Sequence, residues 1–217
     1  MDSLVVIIPV SGHGRYLHQA VSSALQHDVL PIEVLVVMNG ANPKCHDEIS
    51  KLGDEAVTVI SLQQPVGAAF ARNIGIARST ANWIRFLDAD DVFLPGSTSQ
   101  LLAQIRDPHC EVAVGRMRLL GEDGGHIRDL DDASPVIGAV LCSRTLFNMV
   151  GAFDETLKLG EYIDWVSRAR DCGVREIQSD YLVLGRRIHR DNTSTLGLRA
   201  KSLDYLRVAR SHLERNR

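Results

Sequence analysis

Short apolar runs alternate with amphipathic segments along the first half of the chain. Four runs rich in β-branched residues predict buried strands: LVVIIPV (4–10), IEVLVVMN (32–39), VTVISL (57–62) and WIRFLD (83–88). Between the first two, YLHQAVSSALQH (16–27) repeats its apolar positions at the i, i+3, i+4, i+7 spacing of one helix face. Strands alternating with helices predict an α/β fold with a mainly parallel central sheet. Because the strands are continuously apolar, we expect helices to cover both faces of that sheet.

The pattern changes after Pro95, which is suited to the first turn of a helix running from Ser97 to Ile105. EVAVGRMRLLGEDGG then predicts a strand that ends in a glycine turn. Further along, GAVLCSRTLFNMVGAF predicts a strand and a short helix, EYIDWVSRARDCG a helix that ends at Gly173, and REIQSDYLVLGRRIH a strand-rich return. The sequence contains no linker and no internal repeat, so we expect one domain.

Composition narrows the function classes. The chain has 217 residues, a net charge of −3 with histidine neutral, and 45% hydrophobic residues, which suits one globular domain and disfavours nucleic-acid binding. The four cysteines have no spacing typical of a zinc site, so we expect reduced thiols. The N-terminal apolar run has only the length of a strand, which predicts a cytoplasmic chain with no signal peptide or transmembrane segment.

The C-terminal segment from Arg199 to Arg217 is basic, with six Lys or Arg against two acids. Leu203, Leu206, Val208 and Leu213 lie partly on one helical face. A helix docked on the body is the first interpretation, while a homodimer contact and a membrane-surface helix remain alternatives.

The stretch FLDADDVFLP (86–95) places Asp88, Asp90 and Asp91 where the fourth strand leaves the core. In parallel α/β sheets the ligand crevice lies at the carboxyl ends of the strands. Carboxylates this close repel one another unless a cation or donors compensate, and Mg²⁺ or Mn²⁺ is the natural compensator for oxygen ligands. A solvated turn, or a cap for the next helix, is the alternative interpretation.

The 27 residues from Pro65 to Asp91, PVGAAFARNIGIARSTANWIRFLDADD, resemble the core signature of the family 2 glycosyltransferases with the GT-A fold. VVIIPV, VGAFDE (150–155) and RRIHRDNTS resemble further elements of that family. The resemblance implies a single GT-A domain over 1–217. Its nucleotide-binding half would span about 1–95 and its acceptor half about 96–198, followed by a C-terminal helix over 199–217.

Position by position, the resemblance implies that Asp88 contacts the ribose or the donor sugar, with Ala89 beside it, and that Asp90 coordinates the metal. Asp91 is expected to orient its neighbours. Arg72 resembles the residue that reaches the donor, with a surface arginine as the alternative.

Three further positions near Arg72 have structural interpretations. Asn73 is expected to bond the local backbone. Gly67 is interpreted as a turn residue and Gly75 as a site of close helix–sheet packing.

The resemblance also identifies a nucleoside pocket. Pro9, Val10 and Ser11 end the first strand, where the family lines that pocket. Asn39 stands where the family commonly has an aspartate that pairs with the base, and it can both donate and accept hydrogen bonds. A plain Asn-Gly turn is the alternative interpretation for Asn39.

An inverting transfer needs a base near the acceptor hydroxyl. The family offers Glu-Asp at the start of a helix, and here the corresponding pair is Glu161 and Tyr162. We take Glu161 as the first candidate for the base and Asp164 as the second, both held ionised by the helix dipole. Trp165 is interpreted as a core or acceptor-platform residue.

His189 resembles the C-terminal histidine that completes the metal shell or meets the phosphates. One of three neighbouring arginines, with Arg187 as first candidate beside Arg186 and Arg190, is expected to neutralise the diphosphate. The loops over roughly 107–135 and 190–200 are expected to choose the acceptor.

The resemblance therefore implies an inverting, hexosyltransferase-like enzyme. It would use Mn²⁺ or Mg²⁺, a nucleotide-diphosphate sugar (UDP-sugar first), and a small-molecule, glycan or peptide acceptor. There are two alternatives. One is a sugar-phosphate nucleotidyltransferase, suggested by SGHGR (11–15), and the other is an inactive nucleotide-sugar-binding module, suggested by Tyr162 and by Met38-Asn39.

Overall fold

A computed structural model describes residues 2–12, 14–26, 32–40, 53–130, 136–190 and 198–215, and positions 45, 47 and 49. The strands are β1 (Leu4–Val10), β2 (Ile32–Asn39), β3 (Val57–Leu62), β4 (Trp83–Phe86), β5 (Val92–Phe93), β6 (Glu111–Leu120), β7 (His126–Asp129), β8 (Val140–Ser143) and β9 (Arg175–Arg187). The helices are α1 (Leu17–Leu25), α2 (Ala68–Arg78), α3 (Ser97–Leu102), α4 (Arg144–Val150), α5 (Glu161–Asp171) and α6 (Leu198–Arg215). The predicted alternation of strands and helices is confirmed.

The strands form one sheet in the order β3-β2-β1-β4-β8-β6-β9-β5, and β7 pairs with β6 outside that path. The four strands from the first half of the chain, β3, β2, β1 and β4, are parallel to one another. In the second half β6 pairs in parallel with β9, whereas β8, β7 and β5 pair antiparallel. The α/β fold is therefore confirmed, with a parallel first half and a mixed second half.

Alternate residues of β1 face two separate apolar clusters. Leu4, Val6 and Ile8 pack with α1 on one face of the sheet, and Val5 and Ile7 pack with α2, α4 and α5 on the other. All five side chains are buried, so helices cover both faces as the apolar strands predict. Both faces of the sheet are therefore buried, and its carboxyl-terminal edge carries the loops that follow the parallel strands.

Gly75 allows α2 to approach the sheet closely. A Cβ atom at this position would lie 2.5 Å from Cγ2 of Ile7, nearer than any packed pair of carbon atoms. The interpretation of Gly75 as a close-packing residue is confirmed. Gly67, the N-cap of α2, has φ 89°, which confirms its role as a turn residue.

The helix expected over 97–105 is shorter, and it begins behind Pro95 rather than at it. Gly96 is the N-cap of α3 in the left-handed region with φ 72°, so the chain turns between Pro95 and the first helical residue. The helix ends at Leu102, and Ile105 still packs partly against the core from the following turn. Proline therefore marks the turn that precedes the helix.

The predicted C-terminal helix is present as α6, which packs beside α5. Arg215 Nε donates to Asp171 Oδ2 at 2.9 Å, and Val208 is buried. Leu206 and Leu213, expected on the apolar face, are exposed at 65% and 64%. Residues 216–217 lie outside the described part of the chain. None of the described helices is long and apolar enough to cross a membrane.

Candidate active site

The functional side chains gather at one edge of the sheet because β1, β2 and β4 run in parallel. Val10 at the end of β1 is in register with Met38, and Ile7 with Phe86. The segments that follow these strands therefore leave the sheet at the same edge. They are Ser11 after β1, Gly40 after β2, and the acidic turn, defined as residues 88–91, after β4.

The acidic turn brings its three carboxylates together. One ligand oxygen from each of Asp88, Asp90 and Asp91 lies within 4.8 Å of the others. The turn is tight because Asp91 N donates to Asp88 O at 3.0 Å. Asp91 is 4% exposed, and burial, followed by the charges of Asp88 and Asp90, raises its pKa well above the ordinary value. A cation at this place would relieve the repulsion among the three groups.

His189, just beyond β9, adds a nitrogen to the acidic turn. Its Nε2 lies 2.8 Å from Oδ2 of Asp90, and its ring is 5.6 Å from that of Tyr16. Carboxylate oxygens are the ligands that Mg²⁺ and Mn²⁺ prefer, and imidazole is a ligand typical of transition metals. The acidic turn therefore has the donor chemistry for a divalent cation, and Asp90 and His189 stay the predicted ligands.

Arg187 is buried next to the acidic turn and forms hydrogen bonds with it. It is 2% exposed, and its backbone N donates to Asp91 Oδ1 at 2.9 Å. Its guanidinium lies 4.3 Å from the Tyr16 ring and donates to the carbonyls of Asp90, Gly121 and Glu122 and to Gln19 Oε1. These partners are protein groups on α1 and on two loops, so the geometry differs from that of an exposed arginine reaching for a diphosphate.

Arg72 on α2 joins the acidic turn to the start of α5. Its side chain is almost fully buried; Nη2 donates to Asp88 Oδ1 at 2.6 Å, and Nη1 donates to Glu161 Oε1. Asp88 remains 42% exposed at its side chain and Glu161 14%, so both carboxylates keep a face toward solvent. Arg72 therefore links the predicted donor-binding acid with the predicted base, although the two are 73 positions apart in the chain.

The first turn of α5 separates its two acids. Glu161 faces Arg72, while Asp164 accepts from Arg168 Nε at 2.8 Å and lies 3.9 Å from Arg215 Nη1. Asp164 is thus a buried link between α5 and α6, turned toward the C-terminal helix. Its surroundings do not resemble those of a base that must reach an acceptor.

The two aromatic residues of this helix belong to the core. Tyr162 is buried within the apolar cluster beneath α5, and burial raises the pKa of its hydroxyl well above the ordinary value. Trp165 is 1% exposed, stacks on Phe147 at 4.7 Å and donates to Gly151 O at 2.9 Å. Of the two interpretations of Trp165, the core residue is the one observed.

Asn73 forms hydrogen bonds with backbone atoms as expected, but the expectation that these atoms are close to Asn73 in the sequence is wrong. Its Nδ2 donates to Phe153 O at 3.0 Å, and its Oδ1 accepts from Phe153 N at 3.0 Å. Nδ2 also lies 2.8 Å from Glu155 Oε1. Arg72 and Asn73 are neighbours on α2, and both hold segments from the second half of the chain.

A pocket of about 310 Å³ opens beside the ends of β1, β2 and β3. Its lining residues are Val10, Gly12, Met38, Asn39, Gly40, Gln63 and Pro65. Asn39 Oδ1 accepts a hydrogen bond from Val66 N, so Asn39 does more than form an Asn-Gly turn. Val10 and Asn39 line the pocket as predicted, whereas Pro9 and Ser11 adjoin it in the chain without lining it.

Sequence reasoning did not single out Gln63 or Arg85. Gln63 directly follows β3, and the position of that strand at the same parallel edge is the signal that points to it. Arg85 is fully buried in β4, donates to Ser97 and Thr98 at 2.8 Å, and lies 3.6 Å from the Phe93 ring. Burial lowers its pKa to about 9. The charged residue inside the apolar run WIRFL is its sequence signal.

Comparison with known proteins agrees with this architecture. Residues 5–159 match the family model for glycosyl transferase family 2. Succinoglycan biosynthesis protein ExoO of Rhizobium meliloti is 25% identical over 182 residues, covering 72% of this chain and 52% of ExoO. Glycosyltransferase GlyG of Streptococcus pneumoniae is 26% identical over 129 residues, covering 58% of this chain and 43% of GlyG. This chain therefore spans about half the length of these curated relatives.

The crystal structure of S. aureus TarS 1–349 in complex with UDP superposes with a TM-score of 0.70 at 18% sequence identity. The match covers 87% of this chain and 61% of that chain. At this identity the likeness shows the fold, and it confirms the GT-A fold predicted from the sequence. Together with the family model over residues 5–159, it shows that this chain belongs to glycosyl transferase family 2.

Proposed function

We propose that this protein transfers a sugar from a nucleoside-diphosphate sugar to an acceptor hydroxyl, with a divalent cation at the acidic turn and inversion at the anomeric carbon. The observation that carries the proposal is the convergence of three carboxylates at the carboxyl end of β4, joined through Arg72 to Glu161. This arrangement brings a phosphate-binding cation and a candidate base to the same crevice.

The donor half of the site would use the residues along the sheet edge. Asp90 and His189 are the proposed ligands of Mn²⁺ or Mg²⁺. The carboxylates of Asp88 and Asp91 would add negative charge close to the cation. The cation would supply Lewis-acid stabilisation to the negative charge of the departing diphosphate. Asp88, exposed beside the turn, is the proposed contact for the ribose or sugar, and Val10 and Asn39 are the proposed wall of the base pocket.

The acceptor half would depend on Glu161. The acceptor oxygen bonds to the anomeric carbon as the bond from that carbon to the diphosphate breaks, and the hydroxyl proton passes to Glu161. Arg72 donates a hydrogen bond to Oε1, so Oε2 is the proposed proton-accepting atom. Attack on the face opposite the leaving group gives inversion.

Arg72 and Arg187 are proposed as positioning residues. Arg72 fixes the distance between Asp88 and Glu161 because one planar guanidinium binds both carboxylates. Arg187 fixes the acidic turn through the carbonyl of Asp90 and its own backbone N–H to Asp91. Precise placement of reacting groups accounts for a large part of enzymatic rate enhancement.

A nucleotide-sugar-binding module without transferase activity is the second candidate. Two observations favour it: Tyr162 stands where the family's second acid is expected and lies in the core, and Oε1 of Glu161 is already engaged by Arg72. Such a module would bind the donor and release no product. The nucleotidyltransferase alternative rests on the segment 11–15, of which residue 13 lies outside the described part of the chain.

A two-stage experiment tests the proposal. First, the melting temperature is measured with UDP, CDP, GDP and ADP, each with and without MnCl₂ or MgCl₂, because a ligand that binds the native state raises it. Second, the best nucleotide's sugar conjugates are incubated with the protein, and nucleoside diphosphate release is followed. NMR of the product assigns the anomeric configuration.

Metal-dependent stabilisation together with slow donor hydrolysis or transfer supports a transferase. Stabilisation without any release of nucleoside diphosphate favours the binding module. Release of pyrophosphate from a nucleoside triphosphate and a sugar phosphate would identify a nucleotidyltransferase instead. The acceptor, whether small molecule, glycan or peptide, is then sought by product analysis. The loop residues 131–135 and 191–197, expected to help choose it, lie outside the described residues.

A further inference from the structure

Arg85 is a buried cation whose partners are neutral groups. It is 0% exposed, and burial lowers its pKa to about 9. Among the residues that the structure describes, it donates to the hydroxyls of Ser97 and Thr98 at 2.8 Å and to the carbonyl of Gly138 at 3.4 Å. A buried charge costs stability, and an apolar side chain of similar size would avoid that cost. Stability alone therefore does not explain an arginine at this position.

The contacts of Arg85 lie beyond the acidic turn in the chain. Arg85 is in β4, just before that turn. The Cζ atom of its guanidinium lies 3.6 Å from the centre of the Phe93 ring, and Phe93 is in β5, which follows the turn. The two hydroxyls that it binds belong to Ser97 and Thr98 at the start of α3. One side chain thus fastens the strand that enters the acidic turn to the strand and the helix that leave it.

Strand β5 also determines where the acidic turn meets β9. It has only 2 residues, and Phe93 is in register with Leu184 of β9. The chain continues from β9 to His189, whose Nε2 lies 2.8 Å from Oδ2 of Asp90. A shift of β5 along β9 would therefore change the distance between Asp90 and His189. Because β5 is shorter than ordinary strands, its position depends on side-chain contacts such as that of Phe93 with Arg85.

We propose that Arg85 is a positioning residue for the metal site: it holds β5 in register with β9 and so sets the separation of Asp90 and His189. The inference rests on the proposed function, in which these two residues bind the cation. Arg85 has no exposed surface, so it reaches neither the cation nor the donor and acts through Phe93. A guanidinium suits this role because its planar face stacks on an aromatic ring while its edge donates hydrogen bonds.

The effect is measured as the contribution of the cation to nucleotide binding. The nucleoside diphosphate that stabilises the protein most, among UDP, CDP, GDP and ADP, is titrated by isothermal titration calorimetry in MnCl₂ and in EDTA. The ratio of the two affinities is this contribution. We expect Arg85→Met to lower the ratio by about tenfold or more, as is typical when a residue that orients metal ligands is replaced. Arg85→Lys should recover only part of it, because an ammonium group keeps the charge without the stacking plane.

Two further variants separate positioning from general stability. Phe93→Leu removes the ring and leaves the arginine, so it should lower the ratio as well, and it tests the same contact if Arg85→Met does not fold. Val34→Ala is the control, because Val34 is buried in the apolar cluster that contains Phe93 but lies near the amino end of β2. It should lower the melting temperature and leave the ratio unchanged. In the metal-free proteins, amide hydrogen exchange over 92–94 should be faster in Arg85→Met and Phe93→Leu than in Val34→Ala.

An unchanged ratio in a folded Arg85→Met or Phe93→Leu would overturn the inference. An equal fall of the ratio in Val34→Ala would overturn it too, because lost stability would then explain the effect. Both outcomes leave the proposed function standing, since the wild type still binds the nucleotide more tightly in MnCl₂. If the wild type binds no nucleoside diphosphate, or binds it equally well in MnCl₂ and in EDTA, the proposed metal site fails, and the inference fails with it.

Discussion

Two short acidic segments of this protein look alike in sequence and behave differently in the fold. The acidic turn carries Asp88, Asp90 and Asp91, and the first turn of α5 carries Glu161 and Asp164. In the acidic turn the carboxylates converge within 4.8 Å, whereas in α5 Glu161 turns to Arg72 and Asp164 turns to Arg168. A tight turn folds successive side chains toward one point, while the start of a helix distributes them around its axis.

The number of acids in a segment therefore says less about its ability to bind a metal ion than the number of cationic side chains that face it. In the α5 segment each acid has an arginine partner, so its charge is already compensated. In the acidic turn Asp88 pairs with Arg72, and Asp90 contacts the imidazole of His189. Because three carboxylates lie within 4.8 Å of one another there, the acidic turn is the segment expected to attract a metal ion.

Removal of Asp90 should have the largest effect. We expect Asp90→Ala to lower kcat/KM roughly a thousandfold and to abolish its dependence on Mn²⁺, because Lewis-acid stabilisation contributes several kcal/mol. Rates of nucleoside diphosphate release across a Mn²⁺ titration measure this. Asp180→Ala, an exposed acid on β9, is the control and should behave as the wild type. Retained metal dependence in Asp90→Ala would remove the acidic turn from the metal site.

The two acids of α5 should respond unequally. We expect Glu161→Gln to lower kcat by roughly a hundredfold to a thousandfold with donor affinity unchanged, as for loss of a general base. Asp164→Asn should leave kcat near that of the wild type because its carboxylate serves the α5–α6 contact. Steady-state rates together with calorimetric donor affinities separate the two effects. A slower Asp164→Asn than Glu161→Gln would reverse the assignment.

Arg72 binds one acid from each of the two segments, so its removal should destabilise the position of both segments in the fold. We expect Arg72→Met to lower the free energy of unfolding by about 3 kcal/mol, since Asp88 and Glu161 lose a buried partner. Arg72→Lys should recover only part of this loss, because an ammonium group cannot span two carboxylates as a planar guanidinium does. Urea denaturation of both variants measures these changes in the free energy of unfolding. Unchanged stability in both would mean that the bridge contributes nothing.

Asp164 should affect stability more than catalysis. We expect Asp164→Asn to lower the free energy of unfolding by about 1 kcal/mol, the upper range for partly exposed ion pairs. Amide hydrogen exchange should become faster in α6, which contacts this acid through Arg215. If exchange became faster around Arg72 and stayed unchanged in α6, Asp164 would support the Arg72 side of α5 and not the contact between α5 and α6.

Asp129 offers a carboxylate outside both segments, held chiefly by one arginine. The Arg118 hydrogen bond lowers the pKa of Asp129 from 3.8 to about 2. The folded-state pKa is depressed, so its stabilisation is complete above about pH 4 and is lost as the pH falls toward 2. Arg118→Gln should therefore melt below the wild type at pH 6, and the gap should close by pH 2. A gap independent of pH would show that Arg118 acts by packing alone.

Much of this fold follows from local sequence patterns. The apolar strands predict β1 to β4, the helical period predicts α1, and the three acids of FLDADDVFLP predict the acidic turn. These inferences succeed because each depends on residues a few positions apart. The same is true of Gly75, whose role follows from its place on a helix that packs against β1.

The partners of the site residues could not be predicted in the same way. Glu161 meets Arg72 and Asn73 meets Phe153 because β4 lies beside β8, which brings α2 next to the segment before α5. Arg187 turns inward because three separate parts of the chain, the acidic turn, the turn after β6 and helix α1, supply its acceptors. Sheet order, which no local pattern encodes, decides these contacts.

The central claim is that the acidic turn binds a divalent cation together with the donor diphosphate. The most direct test is a crystal of the protein grown with MnCl₂ and a nucleoside diphosphate, with diffraction recorded at the manganese absorption edge. We expect an anomalous peak beside the carboxylates of Asp90 and its neighbours, with the diphosphate adjoining it. A nucleotide bound at another surface, or manganese found only away from residues 88–91, would show that the acidic turn is not the metal site.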